Sequence, residues 1–224
     1  MSHHHDHGDN CHSESHGDDH DHAHDHTDDL TPALQNILTA QIDFSALITL
    51  NEDASNSGRA ICQKPWTERL STAPELVSSA DEQLLMIVPF TGQVRLHSIL
   101  IRASTSPSCP KTLKLFLNAD GGFDFDTASD KPATQELCVS QTNDVQEIPV
   151  RRVLFNTTRS LGLFFEDNWS DGEEDETRIT YLGFKGDFLR LNKEPVSVLY
   201  EAAANPSDHK LAQGIGEGVE RSVQ

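Results

Sequence analysis

Apolar residues along this chain fall in short runs, most of them alternating with polar ones. The densest stretch is Asp81–Ala103. Leu84–Val88 is bounded by charge on one side and by Pro89 on the other. Val94–Ile101 is a second run, rich in β-branched residues. Thr91-Gly92 between them has turn composition. Runs of this length and spacing predict two consecutive antiparallel strands rather than helices. Proline cannot donate to a ladder, so Pro89 marks a strand end or an edge.

The same pattern recurs downstream. Leu113, Leu115 and Leu117 share one face, and Lys114 and Phe116 the other. Asn118–Gly122 has turn composition, and Gln135–Ser140 predicts a strand. Glu147–Phe155 predicts another, with Val150 and Val153-Leu154-Phe155 as its apolar part. Ser160–Glu166 alternates Leu161, Leu163 and Phe165. Thr177–Phe184 places Ile179 and Tyr181 on one face, then Leu182 and Phe184 after an offset. Pro195 limits any strand in Leu189–Val198. Upstream, Leu34, Ile37, Leu38 and Ile42 recur at helical spacing after Thr31-Pro32, a helix-start pair. Leu47–Leu50 and Ala60–Cys62 predict short strands, and the segment from Lys64 to Ser79 a surface loop. Roughly eight short strands separated by turns, with little helix, predict an all-β fold: an antiparallel β-sandwich or barrel. One apolar face per strand favours two packed sheets.

The ends of the chain differ from its body. Met1–Asp29 alternates His with Asp, Ser and Gly, and its only apolar residues are Met1, Cys11 and Ala23. Such a segment buries too little surface to offset its ordering entropy, so a disordered His/Asp-rich tail over 1–29 is expected. A domain over 30–206 and a flexible tail over 207–224 complete the predicted organisation. No apolar run approaches the roughly 18 residues of a membrane span. The polar start predicts no secretory signal.

The formal net charge is -19, of which the first 29 residues supply nine acids and no Lys or Arg. A body this acidic repels phosphate backbones, so nucleic acid is not an expected ligand. Cys11, Cys62, Cys109 and Cys138 are widely spaced and form no C-x-x-C pair, which predicts free thiols. Cys62 and Cys138 lie in apolar contexts and are expected to be buried as small hydrophobes. Asn156-Thr157-Thr158 and Asn168-Trp169-Ser170 match the glycosylation pattern by chance.

Several separate stretches, in order and spacing, carry a family likeness. They are Ile42-Asp43 with Leu50-Asn51-Glu52, Lys64–Arg69, Ala80–Leu85, Pro89–Gly92, Leu115–Asn118, Tyr181–Gly186, and Tyr200-Glu201-Ala202 with Ala204–His209. Together they resemble the PITH domain, the proteasome-interacting domain at the C-terminus of thioredoxin-like proteins. The Lys-Pro-Trp element and the Ala-Asn-Pro-x-Asp-His ending resemble the stand-alone branch of that family. The resemblance implies a galactose-binding-like jelly roll. It also implies association with the 26S proteasome through its regulatory particle, in cytoplasm and nucleus. Thioredoxin-fused members carry Cys-Gly-Pro-Cys; this sequence has no such motif, so disulfide reductase activity does not carry over.

Candidate chemistry is sparse. His20, His22, His24 and His26, within Met1–Asp29, could wrap round a zinc or nickel ion, because neutral imidazoles ligate both. The plainer reading is a solvated extension that binds metal incidentally, since each captured ion must order the chain. In Lys64–Arg69, Lys64, Trp66 and Arg69 are candidates for partner contact, because Trp and Arg are enriched at interface hot spots. The other reading is that Trp66 caps one end of the sandwich and Pro65 fixes the loop. The seven acids of Glu166–Glu176 and the Asp120–Asp126 run miss the register of a calcium loop and read as solvated turns. The acidic loop could also meet a basic partner. His97 is expected to pack or to face solvent. No nucleophile elbow, phosphate loop, dinucleotide fingerprint or H-E-x-x-H occurs. The expectation is a non-catalytic binding module with no required cofactor, monomeric in the absence of heptads. A small-ligand or glycan-binding sandwich, and a metal-handling protein working through the tail, are the alternatives.

Overall fold

The computed structural model describes residues 35–189. Nine strands dominate the described residues: β1 (Ile48–Leu50), β2 (Leu76–Val77), β3 (Leu84–Arg102), β4 (Thr112–Leu117), β5 (Gln135–Cys138), β6 (Gln146–Pro149), β7 (Thr158–Phe165), β8 (Arg178–Ile179) and β9 (Tyr181–Leu189). Two short helices, α1 (Ser57–Gln63) and α2 (Phe125–Asp130), interrupt them. Every strand pairing among the described residues is antiparallel.

The predicted hairpin within Asp81–Ala103 does not form. Leu84–Arg102 is one strand of 19 residues that changes partners midway. Its first part lies between β1 and β7, in the order β1-β3-β7-β4-β5. Its second part lies between β6 and β9. The register against β7 shifts between Pro89 and Val94, where the strand passes from one set of partners to the other. Pro89 has no N–H to give there, and its carbonyl accepts from Asp43 N at 2.9 Å. Gly92 is not a turn residue. A Cβ at Gly92 would meet the Phe188 ring at 2.8 Å, so its bareness serves close packing.

The alternation along β3 explains its burial. Leu84, Met86, Val88, Phe90, Val94 and Leu96 enter the main core, and Ile99 and Ile101 continue it. The parity changes from even to odd because the β3–β9 register shifts between Leu96 and Ser98, which makes His97 an extra residue. Each fully buried side chain of this size contributes about 1.5–3 kcal/mol relative to exposure. Leu85 and Ile87 point the other way. They join Phe116, Phe123, Ala128 and Phe164 in a second cluster on the outer face of the first sheet. Asp124 caps α2 over this cluster by accepting from Thr127 N at 2.8 Å.

Other elements depart from the sequence expectation for identifiable reasons. Ala60–Cys62 lies in α1, not in a strand; Ile61 and Cys62 are its buried side, as predicted for Cys62. The segment after Lys64 is not all loop, since Trp66–Glu68 forms a 3-10 turn and β2 pairs with β8. Cys138 lies on β5 but is exposed, because the adjacent Leu137 and Val139 take the inward face. Strand β6 ends at Pro149, and Val153 is 84% exposed in the turns that follow. Thr180 separates β8 from β9 and supplies the offset between Ile179 and Leu182. The acidic Asp167–Glu176 loop is built round buried Asn168, whose amide donates to Glu174 O at 2.8 Å and Glu176 O at 3.1 Å. That amide is spent, which fits a chance glycosylation match.

Candidate functional site

Lys64, Trp66 and Arg69 come together at the end of α1, but in different roles. Pro65 leads into the Trp66–Glu68 turn, closed by Glu68 N to Pro65 O at 2.9 Å and Arg69 N to Trp66 O at 3.3 Å. Arg69 folds back over the indole, with its guanidinium carbon 4.3 Å from the ring centroid. Its Nη1 donates to Trp66 O at 2.9 Å. The indole meets Tyr181 edge to face at 6.3 Å between centroids. Among the described residues its Nε1 has no acceptor. Burial pushes the Tyr181 hydroxyl up to about 12.

Lys64 departs from the expected contact residue, since its side chain is buried. The ammonium donates to Thr180 O at 2.6 Å and to Ser71 O at 3.0 Å. Burial, and then repulsion by Arg102, hold it below its ordinary value. Lys64 therefore clamps both ends of the turn to the sheet. Leu70, which the sequence pattern gave no reason to single out, is 55% exposed beside Arg69. Trp66 and Arg69 are half-buried. The result is a preformed patch of indole, guanidinium and leucine on a rigid base.

The remaining candidates are dispersed. His97 pairs with Asp187 at 3.1 Å. His20, His22, His24 and His26 lie outside the described residues. Among the described residues no cluster of His, Cys, Asp and Glu could hold a metal ion. No helix among them is long and apolar enough to cross a membrane. The acids of the Asp167–Glu176 loop are partly neutralised: Asp171 by Lys111 at 2.6 Å and Glu176 by Arg178 at 2.6 Å.

One open cleft of about 480 Å³ lies between Ser45–Ile48 and Ala119–Gly121, floored by Ile87 and Pro89. Among the described residues no aromatic ring lines it. Its polar groups are already engaged: Ser45 with Asp43, Asp120 with Gly122 N, and Ser160 with Ala119 O. A small-molecule site usually converges several free polar groups on the ligand. This cleft offers apolar wall and little else.

Residues 28–204 match the PITH domain family. This chain belongs to the PITH domain family. A PITH domain-containing protein of Schizosaccharomyces pombe is 38% identical over 167 residues, covering 73% of this chain and 79% of that one. Another, from Drosophila melanogaster, is 33% identical over 223 residues, covering 99% and 98%. Among solved structures, the CBM32-1 and CBM32-2 domains of Clostridium perfringens ZmpB in complex with GalNAc match with a TM-score of 0.50 and 12% identity. That likeness takes in 73% of this chain and 40% of the other. At such identity it concerns the fold alone, a galactose-binding-like jelly roll, in agreement with the sandwich predicted from alternation. The PITH domain here is thus a jelly roll whose long β3 changes partners midway.

Proposed function

We propose that this PITH domain is a non-catalytic docking module that associates with the 26S proteasome regulatory particle, in cytoplasm and nucleus. The resemblance to the proteasome-interacting domain of thioredoxin-like proteins supports this choice of partner. The observation that carries the docking role is the clamped patch of Trp66, Arg69 and Leu70. Trp and Arg supply large contact area at little entropic cost when already held, and an exposed leucine beside them adds apolar surface.

Trp66→Ala removes the indole but also its contact with Tyr181, so it mixes binding with folding. Leu70→Asp separates them, because an exposed surface change alters stability by no more than about 0.5 kcal/mol. Affinity purification from cells, followed by mass spectrometry, should recover regulatory-particle subunits with the wild-type chain and fewer with Leu70→Asp, at equal melting temperature. Recovery no higher than with an unrelated acidic protein would sink the proteasome reading. Undiminished recovery with Leu70→Asp and Trp66→Ala would move the contact elsewhere.

A further inference from the structure

A second surface lies between β6 and β7. Val150 and Phe155 are buried at 6% and 0% exposure, while Arg151, Arg152, Val153 and Leu154 between them are all exposed. The segment is fixed by its backbone. Leu154 N donates to Arg151 O at 2.8 Å, and Phe155 N to Arg152 O at 3.2 Å. Val150 N donates to His97 O at 2.9 Å, and Leu96 N to Phe155 O at 3.0 Å. Gln135 Oε1 accepts from Arg151 N at 2.8 Å. An ordered turn therefore holds two adjacent apolar side chains in water. Among the described residues the only other large apolar side chain so exposed is Leu70.

The turn is also basic, in a chain of net charge -19. Lys111, Lys114, Arg178 and Lys185 are each paired with a carboxylate. Among the described residues Arg151 and Arg152 have no such partner, and neither do Arg95 and Arg159 nearby. Arg95 precedes Leu96, which bonds the turn, and Arg159 follows Thr158, whose register partner is Val94. Arg152 also forms part of the wall of a polar cleft of about 200 Å³, with His97, Glu147 and Lys185. In that wall Lys185 and Ser98 hold Glu147, and Asp187 holds His97. The Arg152 guanidinium is left to receive an acid.

We propose that the 151–154 turn is a second interaction surface, for an acidic protein segment carrying at least one apolar side chain. A carboxylate of that segment meets Arg152 at the cleft, where a guanidinium can bind it in bidentate fashion. The apolar side chain covers Val153 and Leu154. Nucleic acid fits less well, because the net negative charge of the chain repels phosphate. The chain's own Met1–Asp29 has the acids but almost no apolar residues to cover the turn. This surface does not depend on the proteasome reading.

The test uses the full chain and fluorescence anisotropy with three labelled probes. These are a short peptide alternating Asp/Glu with Leu/Phe, the same peptide with Ser for each apolar residue, and a single-stranded oligonucleotide of equal length. The first peptide should bind best, and raised salt should weaken it. Arg152→Glu should weaken it about tenfold or more, and Val153→Ser about fivefold, with unchanged melting. Several results would overturn the proposal. They are absence of binding by the first peptide, equal binding by its serine version, tighter binding of the oligonucleotide, or unchanged affinity in both variants. A gain of more than about tenfold on deleting Met1–Asp29 would assign the surface to the tail and overturn it too.

Discussion

Lys64→Met tests whether the Trp66 patch is held from beneath. Methionine keeps an apolar stem and removes the ammonium. Two backbone carbonyls lose their donor: Thr180 O, at 2.6 Å in a buried setting, and Ser71 O, at 3.0 Å in a half-buried one. A hydrogen bond from a charged donor is worth about 1.5–3 kcal/mol net, so the gross loss is about 3–6 kcal/mol. Part is returned, because the variant no longer buries a charge that burial and Arg102 disfavour. A net loss of about 2 kcal/mol is expected. Urea unfolding should show a lower midpoint at unchanged slope. Hydrogen exchange should quicken at the Glu68, Arg69 and Ser71 amides more than in the β3–β7 ladder. Capture of the regulatory particle should fall as a consequence of the loosened turn. Loss of capture with wild-type melting and exchange would refute this reasoning, since Lys64 would then touch the partner directly.

Three further outcomes are expected. Gly186→Ala places a Cβ 2.1 Å from the Arg95 carbonyl, backbone that cannot step aside, so it should cost about 2 kcal/mol or more and lower the melting temperature by several degrees. An unchanged melt would mean that β3 and β9 can spread. Burial pushes the Glu147 carboxyl up, but Lys185 and Ser98 outweigh it and hold the group below its ordinary value. The stability it adds is therefore present above about pH 4.5 and lost as pH falls through the lowered folded value. The urea-midpoint gap between wild type and Glu147→Gln should shrink over that fall, and a gap constant down to about pH 3 would contradict the assignment. In a Cys11→Ser background, a thiol-exchange reagent should label Cys138 at once and Cys62 and Cys109 only on unfolding. Burial holds the Cys109 thiol up at about 11, and the Cys62 thiol is also raised by burial. Rapid labelling of more than one thiol would show that the core opens.

The sandwich was legible because alternation survives in β4, β7 and the body of β3, where one face is core. Cys138 was misplaced because apolar neighbours do not say which face a strand residue takes. The hairpin was misread because Pro89 and Gly92 carry turn composition, while in the fold they serve a partner change and the seat of Phe188. The core-facing positions keep even parity from Leu84 to Leu96 and turn odd at Ile99, but Leu85, Ile87 and Leu100 are apolar too and hide that change in the sequence. Trp66 and Arg69 could be singled out by residue type. Lys64 could not be told from a surface lysine, because its acceptors, Ser71 O and Thr180 O, are backbone groups brought in by the fold. Val153-Leu154 looked like strand core for the same reason that it is now conspicuous: it is apolar, and only the termination of β6 at Pro149 puts it in water.

The bulge at His97 joins these observations. In a regular strand, the N–H of one residue and the C=O of the next point to opposite edges. Here Leu96 N and His97 O both bond the 150–155 segment on a single edge, which the extra residue permits. The same insertion that changes core parity therefore seats the basic turn. The Trp66 patch is attached to the other end of that ladder, where Tyr181 pairs with Arg102 and Thr180 receives Lys64. Arg102 lies five ladder steps beyond Leu96, a span of roughly 17 Å at strand rise. The ladder between them is packed into the core through Ile99 and Ile101, so the spacing is rigid. Two chemically different surfaces, one aromatic and one basic, thus sit at fixed separation on one pair of strands. A partner that presents matching groups at that distance gains the effective concentration of a two-point contact, and one that matches a single end does not.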